Sequence, residues 1–235
     1  PSYVDTWGVQ LPVIGGLGRD PSMQELCAVI QHAKKGKVCL GVPVEILKCL
    51  EEGHEAMLED LLSLITRHMK GQVEVEEGKM RKLVGIEKPN KSPDTPTNIR
   101  WLTIMDSIQK ICESLMEKRL APFLKQRIPL WQGGGVKGRE AAEIAFTLNR
   151  YLRMRQKMGL DTYCLFLDAV QAYDVVDRDV LYICLKKFGL DEAAVNLVRN
   201  MHKYTTNVAE LNGIKVVVKS TTGIPQGSPI SPALY

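Results

Sequence analysis

A chain of 235 residues, 45% hydrophobic and 25% charged, has the composition of an ordinary soluble globular protein, enough for one large domain or two small ones. No apolar run is long enough to cross a bilayer and no charged-then-apolar leader is present, which argues against a membrane-spanning or secreted protein. The net charge of +4 is unevenly spread: residues 1–78 carry −5, residues 79–158 carry +10 and residues 159–235 carry −1. A basic middle third suits a polyanion-handling enzyme and equally suits solvated helix faces; charge alone does not choose between them.

Residues 21–35 and 43–69 read as helices, with Gly36, Gly41 and Gly53 as breaks and Leu58, Leu61, Leu62 and Ile65 on one helical face. The string HEAML at 54–58 lacks the second histidine of a helical zinc site. A short strand is expected near 82–86, running into PNKSPDTPT at 89–97, whose three prolines forbid regular structure. A helix then opens at Asp106, with Gln109 as its capping-box partner and Ile108, Ile111, Cys112 and Leu115 as its apolar stripe. GGGVKG at 133–138 is a flexible turn. Residues 139–158 form a helix expected to bury Ile144, Leu148 and Leu152 while presenting Arg150, Arg153, Arg155 and Lys157.

In the last third, residues 163–170 read as a strand, 177–188 and 191–203 as helices, and 206–219 as a hairpin turning at Asn212-Gly213. A strand, two helices and paired strands make an α+β layer arrangement, with no internal repeat. The six cysteines show no C-x-x-C pairing, and reduced, buried thiols in an intracellular protein are expected rather than a disulfide framework. The sequence starts at Pro1 without a methionine and ends at Tyr235 within an apolar run, as a piece of something longer does.

The chemistry starts at Asp168. The apolar string Tyr-Cys-Leu-Phe-Leu drives straight into its carboxylate, and a buried ionised carboxylate is costly unless something positive meets it. A metal ion or a lysine answers that need, and the end of a central strand is a usual address for a catalytic group. Asp177 reads as a helix cap, and Asp174, with the same helix beginning beyond it, leans the same way. A second stretch, GIPQGSPISP at 223–232, fixes its backbone with two glycines and three prolines. Gly227 there has no Cβ to keep a flat partner away.

Together these stretches resemble the reverse transcriptases, specifically those of non-LTR retrotransposons and their group II intron relatives. LFLDAVQAYDVVDRDVL (165–181) resembles the family's first palm motif and GIPQGSPISPALY (223–235) its second. Residues 86–120 are similar to the fingers segment in which a lysine and an arginine bracket a proline-rich loop, and QGGGVKGREAAEIAF (132–146) to the glycine-arginine turn after it. GVPVEILK (41–48) is weakly similar to a still earlier stretch.

The resemblance implies right-hand polymerase architecture: an N-terminal helical extension or fingers base over 1–78, a basic fingers segment over 79–158, and a partial palm, an antiparallel sheet with helices, over 159–235. It implies two-metal nucleotidyl transfer to a primer 3′-hydroxyl, with two magnesium ions roughly 4 Å apart. Asp168 matches the first metal-binding aspartate, joined by the backbone carbonyl of Ala169. Tyr173 matches the aromatic residue under the incoming sugar, where a flat ring selects deoxynucleotides; core packing beneath the strand is its rival reading. Lys88 and Arg100 match the cations that grip the incoming triphosphate. Gln226 and Gly227 would meet the nascent base pair and template, and Arg139, Arg150 and Arg153 would track nucleic-acid backbone. The implied partners are an RNA template, a DNA primer and deoxynucleoside triphosphates. The implied location is nuclear or cytoplasmic.

The chain also departs from the family. Its third palm motif, an aromatic residue followed by paired aspartates, is absent from these residues, as is a thumb, so the piece is expected to be inactive alone. Gly135 stands where phenylalanine is usual and Val136 where arginine is usual, and the earliest segment is shortened around Cys39-Leu40. These changes leave open a decayed or domesticated relic that retains at most nucleic-acid binding. An RNA-directed RNA polymerase would place a second aspartate and a smaller residue where this chain has Gln171 and Tyr173.

Overall fold

The computed structural model describes residues 10–50, 53–73, 80–90, 92, 95, 98–203, 205–211 and 214–235. Helix α1 (Met23–His32) opens on a capping box, the Ser22 hydroxyl accepting from the Glu25 N–H and the Glu25 carboxylate from the Ser22 N–H. Gly41 and Gly53, both at positive φ, bound α2 (Val44–Cys49), and α3 (Glu55–Met69) follows. Leu58, Leu61 and Ile65 are buried along α3 as its spacing predicts.

Strands β1 (Met80–Glu87) and β2 (Ile99–Ile104) pair antiparallel on either side of the proline-rich loop, of which residues 91, 93–94 and 96–97 lie outside the described residues. The longest helix, α4 (Ser107–Lys125), is the centre of the core, packing against α1, α3 and the later helix α7 (Glu192–His202). Asp106 caps α4 through the Ile108 N–H, but Gln109 does not close a box: its amide turns inward to Glu113 and the Met201 carbonyl. Beyond α4 come α5 (Ala141–Lys157) and α6 (Arg178–Lys187), the hairpin β3 (Thr206–Leu211) and β4 (Ile214–Lys219), and a last turn α8 (Ser231–Leu234). The Asn212-Gly213 turn lies outside the described residues, though Leu211 pairs with Ile214 across it.

The four strands form one sheet in the order β2-β1-β3-β4. It is mixed, not the antiparallel sheet expected of a palm, because β1 and β3 run parallel, Met80 opposite Thr206. The sheet therefore joins strands from the middle and last thirds of the chain.

Two sequence expectations fail here for one reason. Residues 163–170 form no strand: the backbone is irregular and Tyr163 is 93% and Leu167 87% exposed. Helix α5 forms as expected yet buries none of its side chains; Ile144 is exposed, and Leu148 and Leu152 are only half covered. Both segments carry apolar patterns that require a facing surface, and no described strand pairs with 163–170 to satisfy its backbone. The thiols are all free, but only Cys112 is buried; Cys49 and Cys164 are exposed. Burial pushes the Cys112 thiol far above its ordinary range, which makes it inert.

Candidate active site

The GIPQG segment at 223–227 is built as an elbow against the turn at 171–176. The Gly223 N–H donates to the Val176 carbonyl at 2.8 Å and the Ile224 N–H to the Tyr173 carbonyl at 2.9 Å. Glycine is required at 223, where φ is +74° and a Cβ would lie 2.7 Å from the Asp174 carbonyl oxygen. On its other side the elbow covers the free edge of β2, the Thr103 N–H donating to the Gln226 carbonyl at 2.9 Å. Gly227, at φ +102°, passes close to the Thr103 carbonyl, where a Cβ would sit 3.0 Å away.

Several residues singled out by sequence meet at this junction. The Gln226 amide donates to Asp174 Oδ2 at 3.3 Å, so Asp174 serves the elbow and is not the helix cap that its position suggested. Asp177 alone caps α6, accepting from the Asp179 and Val180 N–H groups. Desolvation holds the Asp174 pKa above the usual carboxylate value, against the Gln226 hydrogen bond and the positive charge of Lys88, which both lower it. Lys88 is thus near enough to be felt electrostatically. Its backbone continues the β1–β2 pairing, its N–H donating to the Asn98 carbonyl. Since Ile86 lies opposite Arg100 and side chains alternate along a strand, Lys88 and Arg100 share one face of the sheet. Arg100 is exposed there.

Tyr173 is half-buried against the core and stacks on Tyr235, ring centroids 5.1 Å apart. Gln171, at φ +51°, makes the turn that carries it, its carbonyl accepting from the Asp174 N–H. Asp168 and Ala169 stand just upstream and are exposed, which corrects the buried carboxylate inferred from the sequence. Asp168 offers the oxygen chemistry magnesium prefers. However, no group of three or more metal-ligating side chains is gathered among the described residues, so these residues do not by themselves make a two-metal site.

The basic residues divide. Arg150 and Arg153 are exposed on α5. Arg139 is half-buried, its guanidinium donating to the carbonyls of Ile128, Pro129 and Gln132, so it fastens the 128–132 turn. Gly135 belongs to a wall of the neighbouring cleft, a space of about 500 Å³ between the C-terminal half of α4, the GGGVKG turn and Pro229–Ala233, with Lys125 and Lys137 among its lining.

Sequence reasoning missed the residues that hold the junction together. Arg178 donates from Nε to the Gly223 carbonyl, from Nη1 to the carbonyls of His202 and Ser220, and from Nη2 to the Ser220 hydroxyl and the Thr222 carbonyl. An arginine in the first turn of a helix opposes the helix dipole, and that misfit was the available signal. Glu113 is 1% exposed and joins Arg81, Gln109 and Ser228. It lies in helical register with buried Gln109, Met116 and Leu120, a carboxylate inside an inward-facing row.

The family model described as reverse transcriptase (RNA-dependent DNA polymerase) matches residues 86–235, more than half of the chain. This chain belongs to the reverse transcriptase family. The matched range contains the whole junction, from Lys88 to Gly227. Among curated relatives, the chain is 27% identical over 164 residues to a probable RNA-directed DNA polymerase from transposon BS of Drosophila melanogaster, covering 68% of this chain and 18% of that protein. It is 24% identical over 146 residues to a retrovirus-related Pol polyprotein from the type-1 retrotransposable element R2 of Popillia japonica, covering 60% of this chain and 20% of that protein. The reverse transcriptase chain described here thus spans about a fifth of the length of these relatives. No helix among its described residues is long and apolar enough to cross a membrane.

Proposed function

We propose that this chain is the fingers and first part of the palm of an RNA-directed DNA polymerase from a non-LTR-type retroelement, acting in the nucleus or cytoplasm. Residues 1–78 would form the fingers base, 79–158 the fingers and 159–235 the partial palm. The observation that carries the reading is the junction itself: Lys88 of the β1–β2 loop, Asp174 beyond the apolar segment and Gln226 of the glycine elbow come together although they are separated by up to 138 positions. A polymerase needs such a convergence, because one nucleotide must be held at once by its phosphates, its sugar and its base.

In this reading Lys88 and Arg100, on one sheet face, meet the triphosphate of a deoxynucleotide. Tyr173 lies under the sugar, and Gln226 with Gly227 offers a flat shelf to the nascent pair of RNA template and DNA primer. Arg150 and Arg153 track the nucleic-acid backbone; Arg139, its guanidinium bound to backbone carbonyls, supports the turn before them. Magnesium, when bound, would activate the primer hydroxyl and neutralise phosphate charge. Asp168 and the Ala169 carbonyl are the ligands this chain would contribute, and further carboxylates must come from elsewhere in the parent protein. The chain alone is therefore expected to be inactive.

The full-length protein should extend a DNA primer on an RNA template with magnesium and deoxynucleotides, and Asp168→Asn should abolish extension without lowering thermal stability. Normal extension by Asp168→Asn would remove the metal assignment. Tyr173→Val should raise ribonucleotide incorporation; an unchanged sugar preference would return Tyr173 to core packing.

A further inference from the structure

The elbow is held from three sides, and the third hold is a buried carboxylate. Glu113 Oε1 accepts from Gln109 Nε2 at 2.9 Å and from Arg81 Nη2 at 3.5 Å. Its other oxygen, Oε2, is bonded to the hydroxyl of Ser228, the residue that follows Gly227. Arg81 and Glu113 are each 1% exposed and Ser228 4%. Arg81 and Gln109 both reach the Met201 carbonyl at the end of α7, so sheet, central helix and α7 converge on one carboxylate. Burial pulls the Arg81 guanidinium below its ordinary pKa and Glu113 opposes that pull.

A buried charge pair of this kind seldom gains net stability over apolar residues of the same size, because both ions lose their water. What it does supply is a directional, charge-assisted bond at a fixed point. That bond lands one residue from Gly227 and two from Gln226. The Ser228 hydroxyl also accepts from the Ile230 N–H at 3.3 Å, which fixes the backbone leaving the elbow. With Thr103 on the Gln226 carbonyl and Asp174 on its amide, the peptide from 226 to 228 is bonded to β2, to the 171–176 turn and to α4.

We propose that Glu113 is a positioning residue for nucleotide selection: through Ser228 it sets the height of the Gln226-Gly227 shelf relative to β2 and Asp174. The proposal rests on the polymerase reading above, in which that shelf meets the nascent base pair. Glu113 itself touches no substrate. Losing its bond to Ser228 loosens the shelf for the incoming nucleotide while leaving Lys88 of the β1–β2 loop and Arg100 of β2 in place.

The test uses the full-length protein and Ser228→Ala, which removes the link but keeps Arg81, Glu113 and Gln109 paired. The expected result is a deoxynucleotide KM raised roughly tenfold by the loosened shelf, with kcat nearly unchanged, the pattern of lost uniform binding. Ser228→Thr, which keeps the hydroxyl, should restore KM. A wild-type KM in Ser228→Ala, or a loss confined to kcat and matched by a lower melting temperature, overturns the proposal. Hydrogen exchange provides a readout independent of activity: the Thr103 amide and residues 226–230 should exchange faster in Ser228→Ala, while α1 does not change. If the wild-type protein extends no primer, the polymerase reading fails by itself; the exchange result then decides the positioning role, and unaltered exchange at the elbow overturns it.

Discussion

Asp174 and Gln226, 52 positions apart in sequence, are joined side chain to side chain at 3.3 Å, and this bond ties the 171–176 turn to the glycine elbow. The carboxylate stays at the elbow although desolvation raises its pKa above the ordinary value. A raised folded-state pKa means that the folded protein holds the Asp174 proton more tightly than the unfolded chain. Ionised Asp174 therefore subtracts stability as pH rises through its folded pKa. Asp174→Asn keeps an oxygen acceptor for the Gln226 amide and removes the charge. Its melting temperature should equal or exceed wild type at pH 7, and the difference should vanish toward pH 3. A variant less stable than wild type at pH 7 would show that the attraction of Lys88 outweighs desolvation.

Gly135 stands where the resemblance led one to expect phenylalanine, and its setting accounts for the glycine. Its φ is +73°, and a Cβ there would lie 2.3 Å from the Pro232 carbonyl oxygen. The GGGVKG turn and the segment after the elbow are packed backbone to backbone at this point, and neighbouring Val136 is buried. Gly135→Phe should therefore fail to restore a family feature. It should destabilise the fold by at least about 1–3 kcal/mol, the cost of left-handed strain before any clash is added. Urea denaturation of Gly135→Ala and Gly135→Phe, each against wild type, measures both parts.

Arg178 fastens the carbonyls of His202, Ser220, Thr222 and Gly223 from the first turn of α6. Removing it takes the side-chain donor from the Ser220 and Gly223 carbonyls, while those of His202 and Thr222 keep the Thr205 and Ser220 hydroxyls. Arg178→Ala should cost about 2–4 kcal/mol, at the upper end for a broken hydrogen-bond network. Arg178→Lys should recover little of it, because one ammonium cannot span the positions reached by a planar fork. Denaturant midpoints for the two variants would separate charge from geometry, and full recovery by lysine would refute the geometric account.

Where a residue's job is set by its neighbours in sequence, the job was legible. The breaks at Gly41 and Gly53, the Asp106 and Asp177 caps, the α3 face and the 206–219 hairpin all follow from local chemistry and all appear. Family membership was legible too, because the stretches at 165–181 and 223–235 lie within the residues that the reverse transcriptase model matches. What failed depended on a partner elsewhere. The apolar string before Asp168 looks like a strand, but pairing is a property of two segments, and no described strand lies beside it. Gln109 fits a capping box by spacing and turns inward because Glu113 and the Met201 carbonyl offer buried partners. Glu113 and Ser228, 115 positions apart, have nothing in their immediate sequence to announce each other.

His202 gives the fold a defined response to acid. Its ring is buried beneath α6, with Nδ1 3.1 Å from the Tyr182 hydroxyl, and Arg178 and Arg81 are the nearby cations. Burial first, then those two positive charges, lower its pKa from 6.5 to about 3. The folded protein therefore keeps His202 neutral while the unfolded chain protonates it near pH 6.5. The resulting stability is fully present above pH 6.5 and is lost as pH falls toward 3. Between pH 7 and pH 5 this single group should remove about 2 kcal/mol of unfolding free energy, at a limiting slope of about 1.4 kcal/mol per pH unit. Glu25, held down to about 2 by its hydrogen bond to Arg119, begins to add its own loss only as pH falls below 4.5, so between pH 7 and pH 5 His202 acts without it. His202→Gln should flatten the pH 7 to pH 5 segment of the stability curve and leave the Glu25 contribution below pH 4.5 in place. An unchanged slope in that variant would assign the acid sensitivity to another histidine.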